Sequence, residues 1–284
     1  MNEPKILKKV IKYNFVPKII ASFQDYDNLY LITNFFEGDT LNKHKKKYLS
    51  EEKIKFIVAC VIQSLIYLRK EKIINRDIRM KNIIMDKNKY LNIIDFSFAI
   101  DYSDKNKKRT NIITNKLEIP PEILNHSLYD YNADYYNLGV IIYYLIFKQF
   151  VNLVKRNNNL NEIFVDYKTI NNYTAPCIDF LNKLLISDNR KRLGFNNIDE
   201  LKNHLWFKGF DWQKLEQRKI KSPLEYMENQ LKLKRCKKFK ISLEKKDIYL
   251  KFLKNRDYKI LYEKYNFVNS EIVINILKSF YIQK

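Results

Sequence analysis

Between Phe15 and Phe36 the chain carries two short runs rich in β-branched and aromatic residues, VPKIIASF and LYLITNFF, separated by the turn-prone QDYDN. Runs of this kind around a short polar turn predict an antiparallel strand pair. From residue 51 the period changes. Ile54, Ile57, Val58, Val61, Ile62, Leu65 and Leu68 recur at helical spacing, the wide apolar stripe of a largely buried helix. Ser50 precedes it as an N-cap, and Glu51 and Glu52 complement the positive end of the helix dipole. Two further apolar runs, NIIM and YLNIIDF, bracket the charged turn DKNK and predict a hairpin. The stretch from Asp101 to Lys116 is too polar for a core element and reads as an exposed loop. Ala133 to Phe147 is apolar almost all round, as in a central buried helix. After Asn171 the pattern is helical to about Phe207, and the lysine-rich remainder reads as an amphipathic or partly ordered tail. No internal repeat is present.

Composition adds bounds. The 284 residues are 46% hydrophobic and 14% aromatic, which supports one sizeable core plus an extension at roughly 100–200 residues per domain. A formal net charge of +21 points to nucleic acid, an anionic membrane surface or an acidic substrate. However, Lys, Asn, Ile and Tyr are abundant throughout, the bias of AT-rich coding sequence, which raises lysine without selecting a partner. The basic runs KHKKK (Lys43 to Lys47), KNKKR (Lys105 to Arg109) and KRCKKFK (Lys234 to Lys240) therefore read as solvated surface, and nucleic acid is not expected as a partner. Cys60, Cys177 and Cys236 have no paired spacing and no neighbouring His. They fit free buried thiols in a reducing compartment rather than disulfides or a zinc site. The N-terminal MNEPKILKKV lacks the apolar run of a signal peptide, and no stretch reaches the roughly 18 apolar residues of a membrane span. A soluble protein, cytoplasmic or nuclear, is expected.

The chemistry concentrates in INRDIRMKNIIM, followed by IIDFSFA. An Asp after a buried helix, an Asn five residues on and a strand-borne Asp-Phe suit phosphoryl transfer. That reaction needs a carboxylate to orient the attacking hydroxyl and oxygen ligands for Mg²⁺. Asp77 fits the first role, and Asn82 and Asp95 fit the second, in the spacing of the protein-kinase catalytic loop and D-F-G segment. Downstream, Pro120-Pro121-Glu122 resembles the A-P-E motif, DYYNLG (Asp134 to Gly139) resembles D-x-W-x-x-G, and LLISDNRKRLG resembles the paired-Arg segment. HLWFKGFDW with QRKIKSP resembles the end of an AGC kinase core, nearest to the cyclic-nucleotide-dependent kinases. SFQDYDNLYLITNFFEGDTL resembles the strand pair and hinge. The resemblance spans roughly residues 2 to 225.

This resemblance implies an α+β protein-kinase-like fold: an N-lobe remnant over 1–38, a mostly α-helical C-lobe over 39–213 and a basic tail over 214–284. It implies serine/threonine kinase chemistry with ATP and Mg²⁺, acting on a protein substrate. Asp77, Arg79 and Asn82 would be catalytic, Asn82 and Asp95 would hold metal, and Thr33 (at the gatekeeper position), Asn34, Phe36 and Ile84 would bind the cofactor. Glu122 and Arg192 would form a buried ion pair, Asp134 would hold the catalytic-loop backbone, and Thr110 would be a phosphosite facing Arg76. The histidines His44, His126 and His204 are assigned to surface or packing.

Several positions depart from the family. No G-x-G-x-x-G occurs, and the alignment puts Glu3 at the helix glutamate that partners the strand lysine, so that lysine would precede residue 1. Asn75 stands for the usual His or Tyr and would cost apolar contact with Phe96. Arg79 replaces a lysine, Ser97 replaces the D-F-G glycine, and Asn115 replaces the threonine expected to contact Asp77. No F-x-x-F ends the chain. The alternative implied by these losses is an inactive pseudokinase serving as a binding scaffold for a protein partner.

Overall fold

The chain opens on helix α1 (Glu3–Val10), which buries Ile6, Leu7 and Val10. The computed structural model describes residues 3–24, 29–44, 48–103, 119–124, 130–149, 155–156, 159–160, 172–224 and 267–268. They fall in two compact units, one formed by 1–18 with 36–227 and the other by 19–35 with 228–284. In the smaller unit, β1 (Ile19–Gln24) pairs antiparallel with β2 (Leu29–Thr33), with a register shift between Ile19 and Ala21. Phe23 stacks on Tyr30 across this pair.

The larger unit is built on helix α2 (Glu51–Lys70), whose first turn is capped by Ser50 accepting from the Lys53 N–H at 3.5 Å. The apolar stripe read from the sequence is the buried face, with Ile54, Ile57, Val61, Ile62, Leu65 and Leu68 nearly inaccessible. After α2 come β3 (Ile73–Ile74), β4 (Ile83–Met85), β5 (Leu91–Ile93) and β6 (Ile100–Asp101). β4 and β5 form the expected antiparallel hairpin, and β3 pairs antiparallel with β6. The outer edge of β4 is taken by residues 38–40. The Gly38 N–H donates to the Met85 carbonyl at 3.1 Å, the Met85 N–H donates to the Asp39 carbonyl, and Thr40 bridges to Ile84. A Cβ on Gly38 would lie 2.4 Å from the Met85 carbonyl oxygen, so only glycine permits this approach.

A short α3 (Pro121–Leu124) precedes α4 (Tyr131–Phe147), which is capped by Asp130 accepting from the Asn132 N–H. α4 is buried nearly all round and packs against α2 and against α5 (Ala175–Leu184). Strands β7 (Lys155–Arg156) and β8 (Asn159–Leu160) form a small antiparallel pair between them in sequence. The helical pattern expected to run on to Phe207 is broken into α5, a 3₁₀ turn at Asn189–Lys191, α6 (Asp199–Asn203) and a second 3₁₀ turn at Leu205–Phe207. The breaks are chemical: Asp188 caps the first turn, and Gly194 takes φ 93, a left-handed conformation that side chains resist. α7 (Trp212–Glu216) follows and packs on α2. In the smaller unit, β9 (Phe267–Val268) pairs antiparallel with β1 opposite Ala21 and Ser22.

Two polar clusters lock the larger unit. Arg192, 1% exposed, donates twice to the Glu122 carboxylate, at 2.7 and 2.9 Å, and also to the Asn132 and Ile186 carbonyls. It therefore ties α3 to the start of α4 and to the turn after α5. The second cluster was not legible from the sequence. Arg218 pairs with Asp86, donates to the Asn92 side chain and lies over the Phe15 and Tyr90 rings, fixing the segment after α7 to the β4–β5 hairpin. Cys60 and Cys177 are free and buried; Cys236 and His126 lie outside the described residues. No helix among the described residues is long and apolar enough to cross a membrane.

Replacing Arg192 by Leu strands the Glu122 carboxylate in the core, and a loss of about 3–5 kcal/mol is expected, as for other broken buried pairs; chemical denaturation measures it. His204 supplies a pH test. Its Nδ1 accepts from the Trp206 N–H at 3.2 Å and its Nε2 lies 2.9 Å from Asp179, so the neutral ring satisfies both contacts. Burial and the nearby Lys183 hold its pKa below the ordinary value, against the opposing pull of Asp179. The unfolded chain therefore takes the proton first, and stability falls as pH drops below about 6.5. His204→Asn, which keeps a capping acceptor, is expected to flatten the decline in melting temperature between neutral and mildly acidic pH.

Candidate active site

The segment between β3 and β4 folds back on itself around Asp134. This α4 carboxylate accepts from the Asn75 N–H at 2.8 Å and the Arg76 N–H at 2.9 Å. Burial pushes its pKa up to about 7, with the two backbone donors pulling the other way. Arg76 sits at φ 67, a conformation that costs a bulky residue on the order of 1–3 kcal/mol unless its surroundings hold it. Its Nε donates to the Phe98 carbonyl at 2.7 Å, and Asn137 of α4 donates to the Ile78 carbonyl. The loop is thus held at each end.

Within it, Asp77 is 7% exposed. Its Oδ2 accepts from Asn82 Nδ2 at 2.6 Å, and its Oδ1 lies 3.6 Å from the Arg79 guanidinium. Burial raises the Asp77 pKa; Arg79 and Asn82 oppose this, while Asp95 adds to it. The Asn82 carbonyl accepts from the Ile94 N–H at 2.7 Å, which brings Asn82 beside the residue preceding Asp95. Asp77, Arg79, Asn82 and Asp95 are therefore gathered into one region of the larger unit.

Asp95 sits at φ 68, a left-handed position that Asp tolerates better than most residues. Its Oδ1 accepts from both the Ser97 N–H and the Ser97 hydroxyl, the latter at 2.6 Å. Among the described residues no donor engages Asp95 Oδ2 or Asn82 Oδ1. One carboxylate and one amide oxygen are thus available, hard ligands of the kind Mg²⁺ takes while keeping waters and phosphate oxygens for its other positions. The donor set fits that ion.

Asn75 is the residue whose role the sequence did not disclose. Its side chain is completely buried, with Oδ1 accepting from the Asp77 N–H at 3.0 Å and Nδ2 donating to the Asp95 carbonyl at 3.3 Å. It links the backbones of the two acidic residues. The loss of apolar contact expected for Phe96 does not leave that ring accessible, since Phe96 is 0% exposed. Glu3 of α1 also reaches this region, its Oε1 accepting from the Phe96 N–H at 2.9 Å. Burial holds the Glu3 pKa above its ordinary value, with Phe96 opposing and Asp95 reinforcing.

Ile84 lies half-buried in β4, with Phe36 in the same unit. Thr33 and Asn34 belong to the other compact unit. Thr110 and Asn115 lie outside the described residues. No group of three or more His, Cys, Asp or Glu suited to a metal ion occurs among the described residues.

The protein kinase domain model matches residues 1–207, and the chain belongs to that family, within its AGC group. It is 28% identical to the serine/threonine-protein kinase sgk-1 of Caenorhabditis elegans over 78% of its length and 49% of that protein. It is 28% identical to cAMP-dependent protein kinase type 3 of Saccharomyces cerevisiae, covering 79% of the chain and 57% of the relative. Against human cGMP-dependent protein kinase 2 it is 30% identical over 79% of the chain and 30% of the relative. The chain thus spans about half the length of the first two.

Asn75→Leu removes both side-chain bonds and leaves the Asp77 N–H and Asp95 carbonyl unpaired. About 1–3 kcal/mol should be lost for each group that stays dry, read as a fall in denaturation midpoint.

Proposed function

We propose that this chain carries the metal-binding and hydroxyl-orienting part of a serine/threonine protein kinase site. The observation that carries this reading is the joint placement of Asp77, Asn82 and Asp95 by backbone and side-chain bonds. In this reading Asp77 accepts a hydrogen bond from the acceptor hydroxyl and takes its proton as the phosphoryl group transfers. The raised pKa of Asp77 makes that proton easier to hold. Arg79, beside Asp77, offers positive charge where the transferring group carries negative charge. Asn82 and Asp95 would ligate Mg²⁺, which supplies charge neutralisation on the ATP phosphates. Thr33, Asn34, Phe36 and Ile84 are proposed as nucleotide contacts, and Thr110 as a phosphosite. Free buried thiols support a reducing, cytoplasmic setting.

A second reading, a scaffold that binds a protein partner without turnover, is favoured by Ser97. Its hydroxyl and N–H both bond Asp95 Oδ1, which draws carboxylate charge away from a cation at Oδ2 and hinders bidentate ligation.

Thermal shift of the purified chain with ATP, with and without Mg²⁺, separates the two. The kinase reading expects a magnesium-dependent rise that Asp95→Ala abolishes and Ser97→Gly enlarges. Absence of any magnesium-dependent rise in both the natural chain and Ser97→Gly favours the scaffold.

A further inference from the structure

We infer that the acceptor segment this site receives is acidic, with carboxylate side chains flanking the hydroxyl. The inference rests on the kinase reading above and specifies its substrate class. Asp77 is held by Asn82 and Arg79, and Asp95 spends Oδ1 on Ser97 and reserves Oδ2 for the metal of the kinase reading. What the same loop presents outward is cationic. Lys81, in the 3₁₀ turn Met80–Asn82 directly before β4, is exposed and has no partner among the described residues. Arg79, two residues earlier, is mostly covered and is spent on Asp77, so the outward charge of the loop is that of Lys81.

The neighbouring turn adds a lysine, with the exposed Glu37 four residues before the turn. A 3₁₀ turn at Leu41–His44 lies against the Met80–Asn82 turn. It contributes Lys43, whose side chain is 51% exposed. The adjacent carboxylate, Asp39, is buried and already paired with Lys43. Neither turn therefore offers an uncommitted carboxylate to a basic peptide, whereas an acidic one meets Lys81 with no partner to displace. Charges placed beside a binding site select partners by sign, both by attracting the complementary one and by repelling the like-charged one. The overall charge of +21 draws any polyanion, so the local contribution has to be separated from the general one.

Fluorescence anisotropy on the full chain does this with three probes: a serine peptide flanked by Glu, the same peptide flanked by Arg, and a single-stranded RNA. Lys81→Glu is compared with Lys208→Glu, a charge reversal at an exposed lysine in another turn. The Glu-flanked peptide is expected to bind about tenfold more tightly than the Arg-flanked one at physiological salt. Lys81→Glu should erase that preference while Lys208→Glu leaves it in place. Equal or tighter binding of the Arg-flanked peptide, or a preference that Lys81→Glu and Lys208→Glu weaken alike, overturns the inference. RNA binding that is tighter than peptide binding and indifferent to Lys81→Glu overturns it too. The outcome is independent of the nucleotide thermal shift: a flat response to Mg²⁺ and ATP counts against phosphoryl transfer, and a peptide preference abolished at Lys81 still supports the acidic docking face.

Discussion

The carboxylate of Asp134 is the constraint on which the site depends. It is buried in α4 and spends both oxygens on two consecutive backbone N–H groups of the loop that carries Asp77. That grip keeps Arg76 in a left-handed conformation and turns the chain so that Asp77 faces Asn82 rather than solvent. Asn75 then passes the constraint on, since its side chain ties the Asp77 backbone to Asp95. A single buried carboxyl group on the most apolar helix thus orders segments that are distant in sequence. Helix α4 is in turn held by the Glu122–Arg192 pair, which also binds the Asn132 carbonyl in its first turn.

The elements that periodicity made legible are those whose stability comes from one apolar face or a local turn. α2, with its Ser50 cap, and the β4–β5 hairpin around DKNK emerged with nearly their expected limits because each is specified by neighbouring residues. The stretch after Asn171 was over-read as continuous helix, since apolar spacing there reflects several short pieces sharing one core. Its breaks depend on Asp188 and on the φ of Gly194. The Arg218 clamp could not be read at all. It joins residues 132 and 126 positions apart, and nothing local marks one arginine in a basic chain as the anchored one.

The site divides along similar lines. Spacing together with the resemblance to the kinase catalytic-loop and D-F-G signatures brought Asp77, Asn82 and Asp95 forward, because oxygen ligands and a hydroxyl-orienting carboxylate are few and their order is constrained. What substitutions do was less visible. Asn75 looked like a loss and proves to be a polar bridge. Ser97 looked like a loss of backbone freedom, yet it does not occupy a positive φ, and its consequence is instead two hydrogen bonds to Asp95. In both cases the sequence identified what had been removed, and only the geometry disclosed what the replacement bonds to.

The claim that Asp134 orders the catalytic loop is tested most directly by hydrogen–deuterium exchange on Asp134→Asn. The amide side chain keeps one acceptor oxygen and replaces the other with a donor that faces a backbone N–H. The account predicts faster exchange across residues 73–85, with α2 retaining its protection. Unchanged exchange in 73–85, or an equal loss of protection in α2, would contradict it.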